Sequence, residues 1–139
     1  MKILKQIFGI CKTETPADRD CWNYSDNRVT LGLNRALEIL RPGGAVRLEG
    51  KGLPVRILLF HGLDGMFYAV KNRCTHIGGR RLDASSQRDR LTCCSVMGSV
   101  FNYKGEVVSG PARKPLTSYT VAVEKGRLVI DLSQETKEK

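Results

Sequence analysis

Two short cysteine-bearing loops constrain this 139-residue chain more than anything else in it. The first opens Cys74-Thr75-His76-Ile77-Gly78, and the second runs Cys93-Cys94-Ser95-Val96-Met97-Gly98-Ser99-Val100-Phe101. Seventeen residues separate His76 from Cys94. Both loops contain glycine and sit between β-type runs, so the chain must hold them face to face on a sheet scaffold. Cys74 and His76 alternate, so one turn aims both side chains the same way; Cys94 and Met97 can do the same from the second loop. Gly78, Gly79 and Gly98 let backbone N–H groups come close to a metal centre, whose charged sulfurs need such donors.

The rest of the chain reads as a small antiparallel β protein of about nine short strands at hairpin spacing. Residues 3–11 place apolar groups at short helical spacing, which predicts an N-terminal amphipathic helix packed on the domain, or one lying on a membrane surface. Residues 13–27 are polar and turn-rich and predict an irregular extended segment pinned by Trp22. Alternation predicts strands at Val29–Leu33 and Ala45–Glu49, and Arg35–Leu40 predicts a short helical turn stopped at Pro42-Gly43. Val55–Phe60 is apolar enough for a fully buried strand, turned at Gly62-Leu63-Asp64-Gly65 into Met66–Lys71. Leu82–Asp89 reads as a polar connection, followed by strands at Arg90–Thr92, Ser99–Tyr103 and Glu106–Val108. A third loop, Ser109-Gly110-Pro111-Ala112, precedes a closing hairpin of Ser118–Val123 and Arg127–Leu132. The boundaries that follow are 1–27 for an N-terminal helix and extended segment, 28–132 for the domain, and 133–139 for a charged, frayed tail.

Bulk properties narrow the classes. The chain can bury a core without disulfide staples, and five cysteines, an odd number, fit thiols or metal ligands better than a closed disulfide framework. No stretch approaches a transmembrane length, and the Met1–Lys12 segment is too interrupted for a signal sequence. Those features predict a cytoplasmic protein. The net charge of +9 comes with no Lys/Arg run longer than two and no basic stripe interleaved with aromatics, so nucleic acid is not expected as a partner. Around the two loops, Lys71, Arg73, Arg80, Arg81, Arg88, Arg90 and Lys104 outnumber Asp83, Asp89 and Glu106, which reads as a solvated steering surface for an acidic protein.

The C-x-H pair, the gap, the Cys94 loop, the Gly98–Phe101 continuation and the Gly-Pro loop at 109–112 together resemble the Rieske [2Fe–2S] family over about residues 29–132. The resemblance implies a small all-β Rieske-type domain and a [2Fe–2S] cluster with thiolates on one iron and imidazoles on the other. Carried over by position, the ligands are Cys74, His76, Cys94 and Met97. Met97 stands where the family has its second histidine. Three readings stay open: the Met97 thioether ligates iron, which accepts that soft donor elsewhere; Cys93 completes a three-cysteine, one-histidine set; or the site holds a single zinc or nothing. Cys93 at a strand end also reads as a small buried hydrophobe. The resemblance further implies that Ser99 can donate its hydroxyl to a cluster sulfur. Gly79 and Val96 stand where respiratory members carry extra cysteines, so the likeness is to the ferredoxin or oxygenase-associated branch.

Two functions compete at this point. One is a one-electron carrier serving an acidic reductase or oxygenase. The other is a cluster-free or zinc-binding module of the same fold. Catalysis by this chain alone is not expected, because only His61 remains for a second metal constellation, and it reads as a surface histidine. Cys11 and Cys21 read as thiols, with a second metal site or a redox disulfide as the alternatives.

Overall fold

A computed structural model describes residues 12–75, 81–84, 90–94 and 98–136, with residues 134–136 through their backbone alone. The helix expected at 3–11 lies outside the described residues. Eleven strands form among those described: β1 (Trp22–Ser25), β2 (Arg28–Gly32), β3 (Ala45–Leu48), β4 (Ile57–His61), β5 (Phe67–Lys71), β6 (Leu82–Ala84), β7 (Leu91–Cys93), β8 (Val100–Phe101), β9 (Val107–Ser109), β10 (Ser118–Glu124) and β11 (Arg127–Thr136). Short 3₁₀ turns at Arg19–Cys21 and Leu37–Ile39 are the helical structure among them. The all-β expectation therefore holds.

The strands make two antiparallel sheets. The larger has the order β1-β2-β11-β10-β5-β4-β3, and the smaller runs β6-β7-β8-β9. β5 and β10 are neighbours, with Ala69 opposite Tyr119 and Val70 opposite Ser118. All four strands of the small sheet lie between these two in sequence, so the small sheet is an insertion into one edge-to-edge pairing of the large one. Both cysteine loops belong to that insertion.

β4 is the wall between two cores. Ile57, Leu58, Leu59 and Phe60 are all buried. Because successive strand side chains point to opposite faces, Ile57 and Leu59 pack into one core with Val46, Leu48 and Ala69. Leu58 and Phe60 pack into the other with Val70, Cys74, Leu82 and Phe101. That double burial is the physical reason the run is apolar at every position rather than alternating.

Three expectations are corrected. Trp22–Ser25 is not irregular: it pairs with β2 across Asp26-Asn27, whose φ values of 53° and 61° make the two-residue loop that matches strand twist. Leu82–Ala84, expected as connection, is β6, held by Cys93, Thr92 and Leu91 opposite it. The tail is paired further than expected, because a register shift between Tyr119 and Thr120 lets β11 continue to Thr136 opposite Ser118. The turn at 62–65 is as expected, with Gly65 at φ 85°.

Leu31 is opposite Trp22 on one side and Leu128 on the other, and all three are buried. Leu31→Ala should destabilise the chain by about 3 kcal/mol, since truncating a sealed leucine costs its transfer free energy plus a cavity. Urea unfolding checks this; a loss under about 1 kcal/mol would show that the β1 layer does not seal the core.

Candidate metal centre

β5 delivers the first loop. Beyond it, Lys71 N–H donates to Thr117 O at 2.8 Å and Asn72 N–H donates to Arg56 O at 2.8 Å, which fixes the chain two residues before Cys74. Cys74 is 1% exposed and belongs to the small-sheet core. β7 delivers the second loop. Its base is closed by Cys93 N–H donating to Ser99 O at 2.7 Å. Cys94 is buried, and its N–H donates to Arg81 O at 2.9 Å.

The two loops are tied through one peptide group. Arg81 O accepts from Cys94 N–H, and the N–H of the same peptide, at Leu82, donates to Asn72 Oδ1 at 2.8 Å. Asn72 is fully buried. A rotated amide would set two donors against each other at Leu82, so the oxygen must face that N–H. Asn72 Nδ2 is then left with no hydrogen-bond partner among the described residues.

A third loop closes on the second. Ser99 is fully buried, and its Oγ accepts from Ala112 N–H at 3.0 Å. Gly110 has φ 96°, and a Cβ there would lie 2.5 Å from Ser99 Cα. Thr75 donates its hydroxyl to Lys114 O, which ties the third loop to the first as well.

The charge expectation is refined. Arg73, Arg90, Lys104, Arg113 and Lys114 are exposed; the last two directly follow the third loop and lie outside the cysteine loops in sequence. The nearby carboxylates are occupied: Asp83 accepts from Lys12 and Thr13 N–H, and Glu106 accepts from Asn102 Nδ2. Arg81 grips Glu49 through Nε and Nη2 at 2.7 and 2.9 Å. That hydrogen-bonded guanidinium holds the Glu49 carboxyl below its ordinary range. Burial, and then the like charge of Arg81, lower Arg56. Arg80, Arg88 and Asp89 lie outside the described residues.

Of the expected ligands, Cys74 and Cys94 are on opposing loops, while His76 and Met97 lie outside the described residues. No group of three or more His, Cys, Asp or Glu is gathered among those described. Cys93 is 2% exposed and packs with Cys74 in the small-sheet core, the behaviour of a buried hydrophobe. Cys21 is packed in the large-sheet core, so the fold does not bring it to the loops. Burial raises its thiol pKa. Cys11 lies outside the described residues. Cys21, Cys74 and Cys93 form no disulfide. A cysteine ligand binds as the thiolate. His61 is a clasp at the far end of β4, its ring stacked on Phe67 and its nitrogens 2.9 Å from Ile39 O and 3.2 Å from Gly65 O.

These features define a class: an antiparallel β scaffold with an inserted small sheet that carries two cysteine loops under a glycine-closed third loop. The residues fit an iron–sulfur centre, with sulfur on both fingers and, on Asn72 two residues before Cys74, a buried donor without a partner among the described residues. The family model described as "Rieske [2Fe-2S] domain" matches residues 36–120. A 3-phenylpropionate/cinnamic acid dioxygenase ferredoxin subunit from Escherichia coli (strain K12) is 36% identical over 93 residues, covering 66% of this chain and 84% of that protein. Its counterpart from Photorhabdus laumondii is 35% identical over 101 residues, covering 71% and 91%. A solved complex of reduced oxygenase and oxidized ferredoxin in carbazole 1,9a-dioxygenase shares the fold, with a TM-score of 0.58, 23% identity and coverage of 78% of this chain and 95% of that one. The cyanobacterial plasma membrane Rieske protein from Synechocystis gives a TM-score of 0.51 at 25% identity, covering 60% and 84%.

The chain belongs to the Rieske [2Fe–2S] family. The family is one of [2Fe–2S] proteins, and neither the fold nor these relatives support the zinc or cluster-free alternative. No helix among the described residues is long and apolar enough to cross a membrane.

Two substitutions test this architecture. Gly110→Ala forces a left-handed φ on a residue with a Cβ and drives that atom into backbone, so roughly 2–4 kcal/mol of stability should be lost. Urea unfolding reads it, and a neutral result would mean that the third loop is not seated on Ser99. Glu49→Gln should cost about 1 kcal/mol or less at pH 7, because the pair is partly exposed and screened. The folded pKa of Glu49 is depressed, so its contribution is present above the unfolded value and is lost as pH falls through the folded one. The gap between wild type and variant should therefore close in acid; a gap that persists there would rule out the ion pair as its source.

Proposed function

We propose that this chain is a one-electron carrier of the Rieske type that passes electrons to or from a partner redox enzyme, an oxygenase component or its reductase. The observation that carries the reading is the pair of buried cysteines on opposing loops, Cys74 and Cys94, locked to one another through the Arg81–Leu82 peptide within a chain of this family. The ferredoxin-subunit relatives point to an oxygenase as the partner class.

When bound, the [2Fe–2S] centre takes up and releases a single electron. Cys74 and Cys94 would hold the group as thiolates, and His76 and Met97 would supply its remaining protein donors. Burial of the cysteines keeps water from their sulfurs, and Ser99, whose Oγ accepts from Ala112, keeps its own hydroxyl hydrogen to donate. The Ser109–Ala112 loop shields the second finger. Arg73, Arg113 and Lys114 present positive charge at the loops, which steers an acidic partner face to them and sets on-rate more than affinity. The chain acts in the cytoplasm, where a reducing medium keeps the Cys94 thiol available.

Anaerobic reconstitution with iron and sulfide, after thiol reduction, should give two irons and two labile sulfides per chain. One zinc, or colourless protein without sulfide, would sink the reading. Met97→Leu should retain roughly half of the wild-type iron or less, since a donor is lost. Full retention would remove Met97 from the ligand set.

A further inference from the structure

Asn72 is a fully buried polar side chain whose amide oxygen has a hydrogen-bond partner and whose amide nitrogen has none among the described residues. Its Oδ1 takes the Leu82 N–H at 2.8 Å. Its backbone N–H is committed to Arg56 O. Nδ2 is sealed from water with no partner among the described residues. An amide donor in that state costs on the order of 1–3 kcal/mol, while the oxygen of the same side chain serves the peptide that joins the two cysteine fingers. Asn72 lies two residues before Cys74, and the peptide it grips is the one that holds Cys94. The acceptors that an iron–sulfur centre brings to such a place are sulfurs, and donors to those sulfurs raise its reduction potential.

We propose that Asn72 is a positioning residue of the centre: Oδ1 sets the separation of the two fingers through the Arg81–Leu82 peptide, and Nδ2 donates a hydrogen bond to a sulfur of the bound centre. The inference rests on the electron-carrier reading. It assigns two tasks to one amide, and they separate chemically. Asn72→Asp keeps an oxygen for Leu82 N–H and removes the NH₂ donor. Asn72→Ala removes both.

The test uses the full-length, reconstituted protein, made with asparagine labelled with ¹⁵N at the side-chain amide only. Pulsed EPR of the reduced wild type should show a ¹⁵N coupling to the centre, and Asn72→Asp should abolish it. The midpoint potential of Asn72→Asp should shift down from wild type, while the thermal midpoint of its metal-free form falls less than that of Asn72→Ala. A loaded wild type with no ¹⁵N coupling overturns the proposal, and so does an Asn72→Asp potential equal to wild type. If the variants fail to load, the wild-type coupling alone decides. Wild type that takes up neither iron nor sulfide overturns the electron-carrier reading and this proposal together, which separates that failure from a loaded protein without coupling.

Discussion

The peptide group between Arg81 and Leu82 is the point on which the site depends. Its oxygen holds the N–H of Cys94, and its N–H is held by the side chain of Asn72, two residues before Cys74. A shared peptide turns two separate loops into one frame. The Arg81 side chain extends the same frame outward to Glu49, beyond β3 in the large sheet. Movement of one finger is therefore resisted by the other finger and by the scaffold.

The scaffold works because β4 is buried on both faces. Its odd and even positions feed two different cores, so the large sheet and the inserted sheet share a wall rather than a linker. Cys74 and Cys93 are packed in the second core along with Leu82 and Phe101. The chain places its redox candidates in tightly packed surroundings and leaves cations at the rim, an arrangement that excludes water from sulfur while still attracting a charged partner.

Legibility of the sequence followed local physics. The Val55–Phe60 run announced a doubly buried strand because no alternating pattern was left to read. The hairpins at Gly62–Gly65 and Lys125-Gly126 announced themselves through glycine, and Gly126 has φ 76°. β1 was hidden, since Trp22–Ser25 carries one buried residue in four visible to pattern reading and its partner is supplied by an Asp26-Asn27 turn without glycine. β6 was hidden because three residues with an aspartate at the centre carry no period, and it exists through pairing with β7. Asn72 gave no signal at all: an asparagine near a strand end is ordinary, and its role depends on a peptide ten residues on.

By itself the sequence determined the two cysteine loops, their spacing, the β class and the odd fourth position at Met97, because those are properties of residue type and order. Tertiary structure decided which groups the loops lean on. It sent Cys93 and Cys21 into separate cores, seated Gly110 against Ser99, and gave one peptide two partners from distant parts of the chain. Hydrogen bonds between residues far apart in sequence leave no periodic trace in the chain, so only the folded arrangement can reveal them.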